Sequence, residues 1–376
     1  MRTLVAITFA LTAVICWALT ELVRRAAGHY GVSDRDERRG AIAYRRIPRV
    51  GGIAIALTFT LVILVLLALE AGGVVYGVVD ATLHDPLTWL FGTSAFAIGL
   101  VDDFRALRAE LKLLALLAIG AAMSARGHGI TQLPLVHHAL SPLQSLAATA
   151  VWYAAIGTAW NFIDGLDGLA AGLSIVAAVA FGIIGWPSDP ATPFVLAGVA
   201  VGFLAHNRHP SVIFMGDGGS FFFGFWIATL GLTTSHHGQS ADLFAVVLCA
   251  IAWPLADMVW AFVRRAMRHT LFEASADHLH YILHRQVGHR RAVQTILSIA
   301  GVLAVVAVAL RADLIATGVL FLCVAAMWIF AARVSVARPA AMVAMYLSLW
   351  MARGPVGERS TAQAASNVLH TSTPDA

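Results

Sequence analysis

Charged residues and cysteines are scarce in this sequence. Only 12% of its 376 residues are charged, about half the share that is usual in soluble domains, and its mean hydropathy is +0.78. This shortage of charge excludes an ordinary soluble domain and predicts an integral membrane protein with several spans. The 3 cysteines lie in separate apolar runs, which excludes a disulfide framework and a C-x-x-C zinc site. Its arginines are not interleaved with exposed aromatics on a soluble module, which excludes nucleic-acid binding.

What the sequence does contain is a series of apolar runs separated by polar or Gly/Pro segments. With ~20 residues needed per span, these runs predict an all-α polytopic membrane protein with about eleven transmembrane helices. The predicted spans lie near 3–20, 50–69, 88–104, 112–126, 145–161, 168–186, 192–206, 219–235, 241–263, 292–310 and 314–332.

The loops between these spans alternate in charge. Basic residues concentrate in the loops at 21–49, 105–112, 206–219 and 264–291. The loops near 70–87, 187–191 and 236–240 contain no Lys or Arg. By the positive-inside rule the basic loops are cytoplasmic, the N-terminus lies outside, and the C-terminus, after an odd number of spans, lies inside.

The pattern predicts one transmembrane domain, residues 1–333, followed by a tail, 334–376. The first part of the tail is apolar with arginines at its edges, which is typical of an interfacial helix. Gly354–Ala376 is rich in small and polar residues and predicts disorder.

The stretch Trp160–Gly172, WNFIDGLDGLAAG, places two carboxylates, Asp164 and Asp167, three residues apart in an apolar run. On a helix, residues three apart share a face, so both carboxylates would point the same way. Such oxygen ligands suit Mg²⁺, which typically binds one or two carboxylates and leaves its other positions to water and phosphates. The alternative interpretation is a Gly/Asp turn that caps the following helix.

Two further acidic stretches lie on the same predicted side. Asp102 and Asp103 end the third span, and adjacent acids in a membrane helix indicate function; a charged helix end paired with nearby arginines is the alternative. Asp217 lies in FMGDGGS at the start of the eighth span. The two glycines after it would expose backbone N–H groups and form a phosphate cradle, unless Asp217 is simply the N-cap of a Gly turn.

The last basic loop contains His278 and His280 close to Arg264, Arg265 and Arg285. Histidines and arginines together suit a diphosphate, as hydrogen-bond donors or charge stabilisers; a solvated basic loop near anionic lipid is the alternative. Taken together, the stretches predict one cytoplasmic cleft that acts on a nucleotide diphosphate at the membrane surface.

The order of these motifs resembles the polyprenyl-phosphate N-acetylhexosamine-1-phosphate transferase family, the glycosyltransferase family 4 that includes the phospho-MurNAc-pentapeptide translocase. The matching stretches, over about residues 20–290, are DERRGAIAYRRIPRVGG, VDDFRAL with Lys112, NFIDGLDGLAAG, FMGDGGS and DHLHYILHR. Two departures are Tyr281, where many members have a further histidine, and Ala43, where the first loop often has one.

The resemblance implies transfer of a sugar-1-phosphate, most commonly GlcNAc-1-phosphate, from a UDP-sugar to undecaprenyl phosphate in the bacterial inner membrane. It also implies release of UMP and a need for Mg²⁺, with Mn²⁺ as a possible substitute. The implied metal ligands are Asp167 and Asp217. The implied catalytic residues are Asp102, Asp103, Asp164, His278 and His280. The implied substrate-binding residues are Arg49, Lys112, Asn161, Asn207, Phe214 and Arg265, and a homodimer is possible.

Alternatives stay open at this point. The acceptor phosphate can attack the sugar-side phosphorus directly, or the reaction can pass through an aspartyl-phosphate. Another UDP-amino sugar, for O-antigen or capsule initiation, would use the same chemistry. A CDP-alcohol phosphatidyltransferase needs D-G-x-x-A-R, which the residues after Asp167 do not supply. An ion-coupled transporter would place its acids near the bilayer midplane and often in repeats, and neither pattern is present.

Overall fold

The computed structural model describes residues 1–30, 47–133, 138–186, 188, 190–237, 242–269 and 278–310. These residues belong to the unit Met1–Val324. The predicted last span, 314–332, and the predicted tail, 334–376, lie outside the described residues, as does the second unit, Ala325–Ala376.

Helices make up nearly all of the described chain, which confirms the all-α prediction. They are α1 Arg2–His29, α2 Gly51–Ala71, α3 Pro86–Phe104, α4 Ala109–Ala125, α5 Pro142–Ile163, α6 Leu169–Ile184, α7 Thr192–Asn207, α8 Gly216–His237, α9 Asp242–Ala250, α10 Ala252–Met267, α11 Leu279–Val287 and α12 His289–Leu310. A short 3-10 turn, Ala81–His84, precedes α3, and two antiparallel strands, β1 Gln132–Leu133 and β2 His138–Ala139, lie between α4 and α5.

The predicted spans as far as residue 310 coincide with these helices, with one difference. The span predicted at 241–263 is two helices, because α9 ends at Ala250 and α10 begins at Ala252. Pro254 in the first turn of α10 explains the break, since proline has no N–H to continue a helix from the preceding turn.

Four of the described helices are long and apolar enough to cross a membrane. They are Arg2–His29, Gly51–Ala71, Pro142–Ile163 and His289–Ala309. The chain is therefore a helical multi-pass membrane protein, while the total of eleven spans stays a prediction.

Helix α8 lies at the centre of the described bundle and packs against α2, α3, α5, α6 and α9. It can approach them closely because small residues face it. A Cβ on Gly99 of α3 would meet the backbone of Asp217 and Gly218, and one on Gly224 of α8 would lie 2.7 Å from Gly157 of α5. Small residues at such contacts are typical of membrane helix packing. As a result, the start of α8 is held directly beside the end of α3.

The two aspartates of the central stretch do not share a helix face, so that prediction is wrong. Helix α5 ends at Ile163, and Asp164 is its C-cap. Helix α6 begins only at Leu169, after Gly168 with a φ of +79°, a left-handed conformation that glycine adopts without steric cost. Asp164 and Asp167 therefore lie in the turn between two helices, as in the alternative interpretation, but the N-cap of α6 is Gly168 and no side chain of the described residues caps that helix.

Candidate active site

Three carboxylates and two cations from separate elements meet beside the N-terminus of α8. Lys112 Nζ lies 3.0 Å from Asp102 Oδ2 and 3.0 Å from Asp217 Oδ2. Arg49, just before α2, lies 3.5 Å from Asp217 Oδ1 and 3.9 Å from Asp103 Oδ1. We call these five residues the carboxylate cluster. It combines residues that the sequence assigned to catalysis, substrate binding and the metal.

The side chain of Asp103, on α3, caps the N-terminus of α8. Its carboxylate accepts hydrogen bonds from the backbone N–H of Asp217 at 2.8 Å and of Gly218 at 3.0 Å. Free N–H groups at a helix start favour an anion, and here that anion is a side chain of the protein. Asp103 therefore occupies two of the N–H groups at this helix start, while the predicted phosphate cradle and a catalytic role for Asp103 stay predictions.

Asp102 and Asp217 fit a Mg²⁺ site better than Asp103 does. Each of them directs one carboxylate oxygen to the same point, where Lys112 Nζ lies, and Mg²⁺ prefers such hard oxygen ligands. Both Asp103 oxygens already accept N–H groups. The metal itself stays a prediction.

Asp167 lies in a different group of side chains. Its Oδ2 is 2.9 Å from His209 Nδ1 and 3.3 Å from the backbone nitrogen of Ser211, and its backbone oxygen is 3.1 Å from His289 Nε2. The two imidazoles stack with their centroids 4.1 Å apart. Potential ligand atoms of Asp167, His209 and His289 lie within 4.8 Å of one another. Imidazole suits transition metals better than Mg²⁺, so a magnesium role for Asp167 stays a prediction.

His278 and His280 are buried around Asp257, a residue that the sequence interpretation missed. Asp257 Oδ2 lies 2.8 Å from His278 Nδ1, and Asp257 Oδ1 lies 3.2 Å from both Nδ1 and the backbone nitrogen of His280. Arg265 lies 3.1 Å from His278 Nε2 and 4.8 Å above the Phe162 ring. The available signal was an acid within the apolar stretch AWPLADMVW, since acids in membrane helices are costly and indicate function.

This arrangement fixes the hydrogen-bonding roles of both histidines. An ionised carboxylate only accepts, so each Nδ1 donates to Asp257. For His278, Nε2 then accepts from Arg265. Burial lowers the pKa of the His280 imidazole below its ordinary value, so His280 is neutral at neutral pH. A catalytic role for His280 stays a prediction.

The end of α5 and the turn after it lie between the carboxylate cluster and the histidines around Asp257. Asn161 Nδ2 donates to Ser220 Oγ at 3.2 Å, and Ser220 Oγ donates to the backbone oxygen of Asp217 at 3.2 Å. A Cβ on Gly165 would lie 2.7 Å from His280 Nε2 and would also meet the Tyr281 hydroxyl. The glycine therefore lets the His280 and Tyr281 side chains lie directly against this turn. Asp164, half-buried at the end of α5, is positioned by the same turn.

Asn207 and Phe214 hold the segment between α7 and α8 in place. The Asn207 amide accepts from Gly168 N at 3.0 Å and donates to the oxygen of Ile213 at 3.0 Å. The backbone of Phe214 pairs with Pro48 and Gly51. These contacts attach the segment to α6 and to the start of α2. Substrate contacts of Asn207 and Phe214 stay predictions.

Comparison with known proteins gives consistent results. Residues 86–235 match the model of glycosyl transferase family 4. The chain is 32% identical over 310 residues to the decaprenyl-phosphate N-acetylglucosaminephosphotransferase of Mycobacterium tuberculosis (strain CDC 1551 / Oshkosh), covering 71% of this chain and 75% of that protein. It is 28% identical over 321 residues to the probable undecaprenyl-phosphate N-acetylglucosaminyl 1-phosphate transferase of Bacillus subtilis (strain 168), covering 82% of this chain and 85% of that protein.

A shorter match covers 83 residues at 46% identity, 22% of each chain, in the phospho-N-acetylmuramoyl-pentapeptide-transferase of Thermosynechococcus vestitus (strain NIES-2133 / IAM M-273 / BP-1). The family match at 86–235 includes the carboxylates of α3, the α5–α6 turn and the start of α8. Because the sequence motifs, the clustered site and these similarities agree, the chain belongs to glycosyl transferase family 4.

Proposed function

We propose that the protein transfers a HexNAc-1-phosphate, with GlcNAc-1-phosphate as the leading choice, from a UDP-sugar to undecaprenyl phosphate and releases UMP. Relatives named for polyprenyl-phosphate N-acetylglucosaminyl 1-phosphate transfer align with most of the chain, which supports this choice of donor and acceptor. The reaction would be the first membrane step of cell-envelope glycan synthesis, and the alternative is the same chemistry with another UDP-amino sugar for O-antigen or capsule initiation.

The observation that carries the proposal is the carboxylate cluster. It contains charges of both signs that lie within salt-bridge distance of one another. Their side chains are only partly exposed to water. Phosphoryl transfer depends mainly on positioning and on charge stabilisation rather than on covalent chemistry. When bound at Asp102 and Asp217, Mg²⁺ would neutralise charge on the diphosphate of the donor.

In the proposed reaction, an oxygen of undecaprenyl phosphate forms a bond to the sugar-side phosphorus of the donor. The bond from that phosphorus to the bridging oxygen breaks, and UMP leaves with the electron pair. A phosphate monoester has its second pKa near ~6, so the acceptor is mostly dianionic at neutral pH and needs no strong general base. Lys112 and Arg49 are the cations placed to bind the diphosphate or the acceptor phosphate.

The proposed site opens to the cytoplasm, where UDP-sugars are made. The basic ends of α1 and α10 flank the same predicted side of the membrane as the carboxylate cluster, and positive charge favours the cytoplasmic side. The N-terminus would then be outside.

The test is UMP release by the full-length protein, purified in detergent, supplied with undecaprenyl phosphate and a panel of UDP-sugars. We expect release with UDP-GlcNAc and Mg²⁺ or Mn²⁺, and none with EDTA or without the acceptor. No release with any UDP-sugar in the panel would refute the proposal. Release of UMP without acceptor, in an amount equal to the enzyme, would instead indicate the double displacement.

A further inference from the structure

Lys112 occupies the point where the proposed function requires a divalent cation. Its ammonium lies 3.0 Å from an oxygen of Asp102 on α3 and 3.0 Å from an oxygen of Asp217 on α8. One flexible side chain from the first turn of α4 therefore joins the carboxylates of two other helices. The same two carboxylates are the ones that fit a magnesium site.

A divalent ion and the ammonium cannot share these oxygens without strong repulsion. Mg²⁺ binds oxygen at about 2.1 Å, which would place it within about 5 Å of an ammonium on the same oxygen. The side chains of Lys112, Asp102 and Asp217 are only 18%, 14% and 12% exposed, so water screens the charges weakly. Lys112 in this position therefore opposes entry of the metal, and the metal binds more readily once Lys112 has moved away.

The residue type fits this exchange. Lys112 is the only lysine in the chain, whereas the other 24 residues of the Lys and Arg class are all arginine. An arginine fork would hold two carboxylates rigidly, but a lysine is a compact charge on a flexible four-carbon stem. Lys112 can therefore leave the carboxylates while α4 stays in place.

We propose that Lys112 is a resident counter-ion, which holds the metal position in the free enzyme and moves onto the donor diphosphate when metal and donor enter. This inference rests on the proposed function for the identity of the diphosphate. The free protein then binds the metal weakly. Donor and metal strengthen each other's binding by the same factor, because coupling between two ligands is reciprocal.

The test measures Mn²⁺ binding to the full-length protein in detergent, without donor, by loss of the free-ion signal in electron paramagnetic resonance. Lys112→Met removes the competing charge and should bind Mn²⁺ at least about tenfold more tightly than the native chain. Lys112→Arg keeps a cation between the carboxylates and should bind no more tightly. Lys112→Gln gives the same comparison if the methionine variant fails to fold.

Two controls locate the effect. Arg108→Met removes an exposed cation four residues away, whose own contact is Glu110, and should leave Mn²⁺ affinity unchanged. Asp217→Asn added to Lys112→Met should cancel the gain. Unchanged or weaker affinity in Lys112→Met, an equal gain in Arg108→Met, or a gain that survives Asp217→Asn would each overturn the proposal. The measurement contains no donor, so UMP release tests the proposed function separately.

Discussion

Asp217 is the residue whose charge the carboxylate cluster depends on most, because Lys112 and Arg49 both contact it. Asp217→Asn keeps the shape of the side chain and removes its charge. We expect turnover to fall by about a hundredfold or more, as for loss of other groups that stabilise transition-state charge, with an unchanged melting profile. Asp167→Asn should have a similar effect through the predicted metal role. The measurement is UMP release at saturating Mg²⁺.

The matched control is Asp85→Asn, at the other end of α3. Asp85 caps α3 by accepting from Leu87 N at 3.0 Å and pairs with Arg126 at 3.1 Å. Loss of this charge should change stability by at most about 1 kcal/mol and leave turnover unchanged. If Asp217→Asn or Asp167→Asn retains near-normal turnover, that residue is not part of the metal site.

Asp257 is expected to act through the histidines that it holds. Asp257→Asn replaces an acceptor by an amide that can donate, so one histidine must change tautomer or lose its hydrogen bond. We expect a loss of about 1–3 kcal/mol of stability, typical of a buried hydrogen-bonding group that loses its partner, and lower turnover. Thermal unfolding and UMP release are measured together.

A functional role is separated from a structural one by combining substitutions. If Asp257 acts through His280, the double variant Asp257→Asn/His280→Gln should lose no more turnover than the worse single variant, since coupled residues are not additive. Additive losses would show that Asp257 does not act through His280.

At the residue scale, the sequence predicted which residues belong to the carboxylate cluster. It did not predict every hydrogen-bond partner of those residues. The motif of Asp102, Lys112 and Asp217 was recognisable, and the three do meet. The partner of Asp103 was not predictable, because the N–H of Gly218 lies 115 residues away in the chain. Asp257 was missed since a single acid in an apolar helix has no local motif.

Among the elements, the contact between α3 and α8 is the most sensitive to added volume. A Cβ on Gly99 would meet the backbone of Asp217 and Gly218, and backbone cannot move aside as a flexible side chain can. Gly99→Ala should therefore destabilise the protein by about 1–3 kcal/mol, as other overpacked sites do, and lower turnover by displacing Asp217. Thermal unfolding in detergent and UMP release measure the two effects.

Gly301→Ala provides the comparison on α12, where no atom of the described residues lies within 4 Å of the added Cβ. Alanine favours a helix interior over glycine by about 0.5–1 kcal/mol, so this variant should be slightly more stable and fully active. Equal effects of the two substitutions would show that the α3–α8 contact is looser than described.

Hydropathy located the helices well because burial in an apolar environment depends on composition over many residues. It failed where one residue decides. Pro254 divides one predicted span into α9 and α10. Gly168 has a positive φ, and the segment with Asp164 and Asp167 is a turn where a helix was predicted.

For the whole molecule, the prediction concerns the side of the membrane on which the site opens. In a background without Cys16, Cys249 and Cys323, Met267→Cys would lie at the basic end of α10 and Val74→Cys in an arginine-free loop. Both positions are well exposed, at 78% and 69%. In intact cells, an impermeant thiol reagent should label Val74→Cys and spare Met267→Cys, because positive loops stay inside.

Labelling of both variants after cell lysis is the control for reactivity. The reverse pattern in intact cells would place the carboxylate cluster outside and contradict the proposed use of a cytoplasmic donor. The orientation inferred from charge stays a prediction until this labelling is done. The number of spans could not be predicted from hydropathy, since short helices such as α6 and α7 are apolar without being long enough to span on length alone.

The turn between α5 and α6 also limits how this chain can change in length. Surface loops usually accept inserted residues at little cost. Here four contacts fall within the eight positions 161–168. Asn161 donates to Ser220, and Gly165 lies against α11. Asp167 contacts His209, and Gly168 donates to Asn207. One inserted or deleted residue would shift several of these contacts at once, so related sequences should align across 161–168 without a gap.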